Sequence, residues 1–299
     1  KAIVLGVVVG ILGLLISPFQ FAMNLEEDTG LGLLFKLRGA RTPPSDIVVV
    51  SIDKQSSDKL DLNNNPDKWP RSLHARLTEN LTKEGASVVA FDVHFIEPKN
   101  AEDDALFAES CQNAQNVVLC EPLVTRELPT SENGGAIAGF HNIVKIVKPF
   151  ELLADSAIAT APFTLPRIPF KVNRYWTFQT GAGDSPTVPV VVFQFTTLTL
   201  SDEFMKLIKK VSPEQAGILP SDQENFISQN FKQGMREIME IFQANPGLKQ
   251  QMLLELEKSR PQLVGPKDYQ LLKFLIKMYG GATSRYINYY GPPRTIKTI

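Results

Sequence analysis

Between Lys1 and Glu26 the sequence carries no charged side chain, and most of this stretch is aliphatic. A helix needs about 20 predominantly apolar residues to cross the hydrocarbon core of a bilayer. Residues 1–25 are therefore predicted to form a transmembrane helix, which makes the lipid bilayer a partner of the chain. Lys1 precedes the stretch and acidic residues occupy positions 26–28. This places the rest of the chain outside the cytoplasm, in the periplasm. A cleaved signal peptide is the alternative.

Small residues recur within this apolar stretch. Gly6 and Gly10 enclose the sequence GVVVG, and Gly13 follows closely. Glycines at four-residue spacing allow two helix backbones to approach each other in lipid. The pattern predicts a homodimer, although glycine is also common in membrane helices that do not associate.

The remainder of the chain is polar enough to be a water-facing body. Its sequence contains 31 basic and 32 acidic residues, so the net charge of −1 gives no indication of a nucleic-acid partner. Residues 26–44 are predicted to form a juxtamembrane segment with a short helix that ends near Gly39, followed by a proline-rich linker. Residues 45–299 are predicted to form one domain. Because the chain begins without Met, it is expected to be part of a longer polypeptide.

Strands and helices alternate in the first part of this domain. The segments 47–52 (IVVVSI), 87–91 (SVVAF) and 116–119 (NVVL) are rich in β-branched residues, as buried parallel strands are. Between them, Leu73, Leu77 and Leu81 form a helical stripe that ends at Gly85. The order predicts an α/β fold: an open, largely parallel sheet flanked by helices. Helices are also predicted over 150–161 and throughout 201–280, an α-helical insertion, and strands over 173–178 and 286–290.

The two cysteines are predicted to be buried free thiols. Cys120 ends a predicted strand, and the length of that strand holds its sulfur more than about 10 Å from Cys111. A disulfide requires Cα atoms within about 7 Å of each other.

Acidic residues follow the three predicted strands. Because the carboxyl ends of parallel strands lie at one edge of a sheet, these residues and their neighbours are predicted to form a binding rim there. The candidate ligand-binding residues are Asp53, Trp69, Arg71, Asp92, Asp103 and Glu121. In the alternative interpretation, Asp53 and Asp92 cap helices or loops, and Arg71 pairs with one of them.

Signatures of catalysis are absent from the sequence. It contains no GxGxxG, GxxxxGK[ST] or GxSxG motif, and its three histidines lack metal-ligand spacing. The sequence therefore predicts no cofactor and no catalytic residues, and no metal site is assigned. Two alternatives remain open. One is a metal-dependent hydrolase that uses Asp53, Asp92 and Asp103. The other is a scaffold that binds a protein partner through an exposed apolar face along residues 231–242.

Several longer segments resemble one known family. They are LRGARTPPSDIVVVSIDKQS, WPRSLHARLTENLTKEGASVVAFDVHFIEP, the Asp103-Asp104 pair, NVVLCEPL and YINYYGPPRTI. Together they are similar to the CHASE2 domain from about Leu37 to the C-terminus, and the similarity is weakest across 201–280. By analogy, the ambiguous segment TVPVVVFQF would be a helix that begins near Thr187.

The resemblance implies an extracytoplasmic sensory domain with no enzymatic activity of its own. Members of the family lie between membrane helices, upstream of adenylate and other nucleotide cyclases or of kinases. The implied function is therefore that of the input domain of a membrane-bound receptor, with its output domain beyond Ile299. The resemblance names no ligand, so the rim residues remain inferences from their positions.

Overall fold

The computed structural model describes residues 2–16, 29–132, 136–166, 172–215, 217, 219, 223, 226, 231–263 and 265–299. Contacts divide the chain into two compact units. The first unit comprises Lys1–Trp69, Leu165–Tyr175 and Arg285–Ile299, and the second comprises Pro70–Thr164 and Trp176–Ser284.

Helices and strands both occur, as an α/β fold requires. The α-helices are α1 (Ala2–Ile16), α2 (Leu31–Arg38), α3 (Lys54–Leu60), α4 (Arg71–Lys83), α5 (Ala101–Ala114), α6 (Glu151–Ser156), α7 (Val188–Thr196), α8 (Ser201–Val211), α9 (Phe231–Ala244), α10 (Leu248–Leu263) and α11 (Pro266–Tyr279). The strands are β1 (Val89–His94), β2 (Val117–Glu121), β3 (Leu123–Glu132), β4 (Ala136–Ile146), β5 (Ala159–Pro162), β6 (Arg174–Trp176), β7 (Phe178–Gln179), β8 (Ser185–Pro186) and β9 (Ser284–Tyr286).

Helix α1 lies within the stretch that was predicted to cross a membrane. It is 15 residues long, which is short of the roughly 20 residues that a bilayer requires. No helix in the described ranges is both long and apolar enough to span a membrane. The predicted transmembrane helix over 1–25 is therefore not found, and residues 17–25 lie outside the described part of the chain. The predicted short helix before Gly39 is confirmed as α2, and Gly39 has a positive φ of 75°.

The second unit is built on a parallel three-stranded sheet. Its strand order is β1-β2-β5, with Val89 opposite Val117 and Val118 opposite Ala159. The predicted parallel strands near 87–91 and 116–119 are thus confirmed. Strand β2 is the central strand, and all five of its residues are buried.

Both faces of this sheet are covered, because successive side chains of a strand point to opposite faces. Val117 and Leu119 pack into a cluster with residues of α4 to α6, including Phe107 and Leu153. Val118 packs instead into a larger cluster with residues of α7 to α11. The predicted stripe of α4 ends as expected, because Gly85 adopts a φ of +86° and its N–H donates to Thr82 O.

Helices α8 to α11 fill most of the segment 201–280. The apolar face of α9 consists of Phe231, Met235, Ile238 and Phe242, and all four side chains are buried. The scaffold hypothesis needed this face to be exposed, so the structure weakens it. The segment after Thr187 is the helix α7, with Thr187 as its N-cap, as the family resemblance implied.

Three predicted elements are wrong. Residues 47–52 do not join the sheet. Val49 forms only an isolated parallel bridge with Thr298 and is 44% exposed, so this segment is not covered on both faces. The helix predicted over 150–161 stops at Ser156. The Ala-rich residues after it form β5, because β2 offers them an unpaired edge. The predicted strand over 286–290 is reduced to Tyr286 at the end of β9.

Candidate functional site

Arg71 and Asp104 form a buried ion pair beside the loop that follows β1. Arg71 is the first residue of α4 and Asp104 lies in the first turn of α5. Arg71 Nη1 donates to Asp104 Oδ1 at 2.6 Å, and the two side chains are 2% and 3% exposed. Asp104 Oδ2 accepts the backbone N–H of Lys99 at 2.8 Å. The predicted participation of Arg71 is therefore structural, and its partner is neither Asp53 nor Asp92.

Aromatic rings and a carbonyl complete the surroundings of this guanidinium. Arg71 Nη2 donates to Glu97 O. The guanidinium carbon lies 4.8 Å from the ring centre of Phe150 and 5.5 Å from that of Phe95. The guanidinium is thus surrounded by a carboxylate, a backbone carbonyl and two aromatic rings, all of which attract a cation. The arrangement fixes the loop from β1 to α5.

The sequence pointed to Asp103, whereas Asp104 makes the contact. Asp103 is half-buried, and its N–H donates to the Asn100 side chain that caps α5. The position of Asp104 on the helix could have identified it. Asp104, Phe107 and Cys111 lie at positions i, i+3 and i+7 of one helix face, and all three are buried.

Glu121 forms a second ion pair, part-buried, at the carboxyl end of the central strand β2. Its side chain is fully buried. Lys232 Nζ lies 3.0 Å from both carboxylate oxygens, and the Thr160 hydroxyl donates to Oε1. Lys232 belongs to the first turn of α9, within the segment 201–280. The pair therefore ties the helical segment to the strand end that was predicted to bind a ligand.

Burial lowers the pKa of the Lys232 ammonium, and the neighbouring charge of Glu121 opposes that shift. Positive charge on Lys148 and Arg236 lowers the pKa further. Glu121 is thus occupied by a cation of the same chain. Lys232 could not be predicted from the sequence, because it lies 111 positions away from Glu121 and no local pattern relates the two.

Asp53 belongs to the first unit and caps α3. Its Oδ1 accepts the backbone N–H and the hydroxyl of Ser56, each at 3.0 Å. These hydrogen bonds, helped by the charge of Arg294, lower the pKa of the carboxyl. Arg294 Nη2 lies 4.0 Å from Oδ2. The capping alternative is therefore correct for Asp53, and the segment that precedes Asp53 is not a strand of the sheet that contains Asp92.

A polar cavity of about 240 Å³ opens beside Asp53. Its lining combines hydroxyl, carboxylate and cationic groups. The lining residues are Ser51, Asp53, Gln55, Ser56, Lys59, Arg294, Thr298 and Ile299. All of them belong to the first unit.

The two remaining candidates are not among the residues that line this cavity. Asp92 is exposed in the middle of β1 rather than at its tip, because the strand continues to His94. Trp69 is buried, and its Nε1 donates to Asn63 O at 2.6 Å. Within the described residues, no group of three or more His, Cys, Asp or Glu side chains could hold a metal ion. The hydrolase site of Asp53, Asp92 and Asp103 is therefore not formed there.

The two cysteines are buried free thiols, as predicted. Burial raises the pKa of both Cys111 and Cys120 to about 12, so neither is poised as a nucleophile. His74 is also buried, among Phe91, Phe95 and Phe107. Burial lowers its pKa to about 4, so it is neutral at pH 7.

Comparison with known proteins gave one match. The family model of the CHASE2 domain matches residues 4–298. No curated protein and no solved structure matches the chain.

Proposed function

The chain belongs to the CHASE2 domain family, whose members are extracytoplasmic sensory domains of membrane receptors, and we propose that it is the input domain of a membrane-bound signalling receptor. It receives a stimulus outside the cytoplasm and passes it to an output domain of the same receptor, such as a nucleotide cyclase or a kinase. The observation that carries the proposal is the extent of the family match, which covers nearly the whole chain. In the proposed receptor the domain itself performs no catalysis.

Membrane attachment is part of the proposal. It is supported by the uncharged residues between Lys1 and Glu26 and by the extracytoplasmic role of the family. The proposed receptor is a homodimer. Gly6, Gly10 and Gly13 have no atom within 4 Å of the position that a Cβ would occupy, so α1 offers an open small-residue face to a second helix.

The proposed mechanism is a shift between two arrangements of the protomers. A stimulus can shift that equilibrium only by its difference in affinity for the two arrangements. The second unit is suited to move as a rigid body in this process. The buried Arg71–Asp104 pair fixes a loop of this unit, and the part-buried Glu121–Lys232 pair fixes its helical segment to the sheet. No specific observation favours a second function.

The output can be tested on the full-length protein. The residues encoded after Ile299 are expected to form further membrane spans and a cyclase or kinase domain. Second-messenger synthesis or autophosphorylation is then measured in membrane vesicles. A downstream sequence that encodes neither a cyclase nor a kinase domain would overturn the proposed receptor function.

The extracytoplasmic location can be tested by labelling of an introduced thiol. Lys83 is exposed at the end of α4, and the two native thiols are buried and protonated, so they give little background. The Lys83→Cys variant in intact cells is expected to react with a membrane-impermeant maleimide. Reaction only after permeabilisation would place the domain in the cytoplasm and contradict the proposal.

A further inference from the structure

The polar cavity of the first unit combines groups that suit one class of ligand. Lys59 and Arg294 contribute two positive charges to its lining, and Asp53 contributes one negative charge. The low pKa of Asp53 keeps its carboxylate ionised at neutral pH. The lining side chains therefore carry a net charge of about +1, which one carboxylate would neutralise.

Arg294 is held in an unfavourable backbone conformation. Its φ is +68°, in a turn where the Thr295 N–H donates to Pro292 O at 3.1 Å. Pro293 and Arg294 are the two central residues, and the second central position of such a turn favours glycine or asparagine when φ is positive. A side chain with a Cβ is disfavoured there on steric grounds. Residues retained in such conformations cluster at ligand sites.

The guanidinium of Arg294 is available to a ligand. Its side chain is 75% exposed, and the 4.0 Å separation from Asp53 Oδ2 is beyond hydrogen-bonding distance. Asp53 Oδ1 accepts two hydrogen bonds from Ser56, and Oδ2 is the oxygen that lies 4.0 Å from the guanidinium.

We propose that this cavity binds a small carboxylate that bears a hydroxyl or amino group on the adjacent carbon. The ligand carboxylate pairs with Arg294 and Lys59, and its hydroxyl or amino group donates to Asp53 Oδ2. The site deepens the proposed sensory function and rests on it for its biological role. Binding itself is a property of the chain and can be measured separately.

Calorimetric titration of the chain with an amidated C-terminus tests the site, because a free carboxylate at Ile299 would add a negative charge to the lining. The probes are lactate, glycerate, glycine, alanine and serine, with propionate and lactamide as analogues that lack the donor or the charge. At least one of the five is expected to bind. Propionate, which lacks the donor, and lactamide, which lacks the charge, are expected to bind more weakly than that probe. No binding by any of the five at millimolar concentration would overturn the proposal, as would equal binding of the analogues.

The decisive variant is Arg294→Gly. It removes the guanidinium and also relieves the left-handed backbone, so it should fold at least as stably as the parent while its Kd rises about tenfold or more. Lys59→Met should weaken binding in the same direction. Lys54→Met is the matched control, since Lys54 lies on the same helix outside the cavity. Unchanged affinity in Arg294→Gly would refute the site.

The outcomes separate the site from the receptor function. If the chain binds a probe through Arg294 but the full-length output ignores that probe, the site stands and its sensory role fails. If the output responds to other stimuli while the chain binds none of the probes, the receptor function stands and the site fails.

Discussion

Asp104→Asn tests whether the Arg71–Asp104 pair is a structural ion pair. The substitution leaves Arg71 ionised, because a guanidinium does not lose its proton in proteins. Both side chains are at most 3% exposed, so water cannot replace the lost charge. The amide would keep one of the two contacts, to Arg71 Nη1. Its NH₂ group would then face the Lys99 N–H, a donor opposite a donor.

Removing one partner of a buried ion pair costs about 3–5 kcal/mol, out of the roughly 5–15 kcal/mol of a typical fold. The matched control is Asp103→Asn, one position earlier in the same helix turn. It loses the same favourable interaction with the helix N-terminus, worth about 0.3–1 kcal/mol, but no buried contact. The difference between the two variants therefore isolates the ion pair.

Urea denaturation followed by circular dichroism measures both losses. A lower midpoint at unchanged slope is expected for Asp104→Asn, and little change for Asp103→Asn. If Asp104→Asn does not fold, the double variant Arg71→Met/Asp104→Leu should restore folding, because no charge is left buried. Equal losses for the two single variants would show that the Arg71–Asp104 pair adds no stability of its own.

Three further predictions concern the second unit. The pKa of His74 is about 4 when folded against about 6.5 when unfolded. Stability should therefore fall by about 3 kcal/mol as pH drops from 6.5 to 4, and a decline just as steep in His74→Leu would contradict this. Lys232→Met leaves the buried Glu121 carboxylate without its cation and should lower the free energy of unfolding by about 3–5 kcal/mol. Adding Glu121→Gln should restore part of that stability, and additive losses in urea denaturation would count against the pair. A Cβ on Gly280 would lie 2.7 Å from Lys249 Cβ, so Gly280→Ala should lower the free energy of unfolding by about 1–3 kcal/mol. Gly247→Ala, whose Cβ would have no neighbour closer than 3.5 Å, is the control, and equal melting temperatures for the two variants would contradict the close contact.

Elements with a strong local period could be predicted from the sequence. The stripe of Leu73, Leu77 and Leu81 identified α4 and its end at Gly85, because a helix face and a left-handed cap are local properties. The strands around Val89 and Val117 were equally evident from their β-branched residues.

What failed depends on partners that are distant in sequence. Residues 47–52 have the composition of a buried strand, but in the described residues they pair only with the short segment 297–299, outside the sheet. Conversely, the segment Ala159–Pro162 is rich in alanine and resembles a helix, yet it pairs along β2. Local propensity was overridden in both cases.

The rim prediction also depended on partners that are distant in sequence. It grouped acids by their position after strands, whereas the structure pairs Glu121 with Lys232 and leaves Asp92 exposed. The acidic residue at the end of a continuous buried strand did indicate a buried charge that needs a partner. The identity of that partner depends on how α9 packs against the sheet.

The central claim is that the chain controls an output domain through the relation between two protomers. Disulfide locking of the first helix tests it most directly, in full-length protein in membranes. Gly10→Cys places a thiol on the glycine face, and Val8→Cys places one about 200° away on the same helix. Oxidation is expected to cross-link the Gly10→Cys protein and to change its cyclase or kinase activity several-fold, and reduction is expected to reverse the change. Val8→Cys is expected to show neither effect. A Gly10→Cys protein that is fully cross-linked with unchanged activity would show that the relation between the protomers does not control the output.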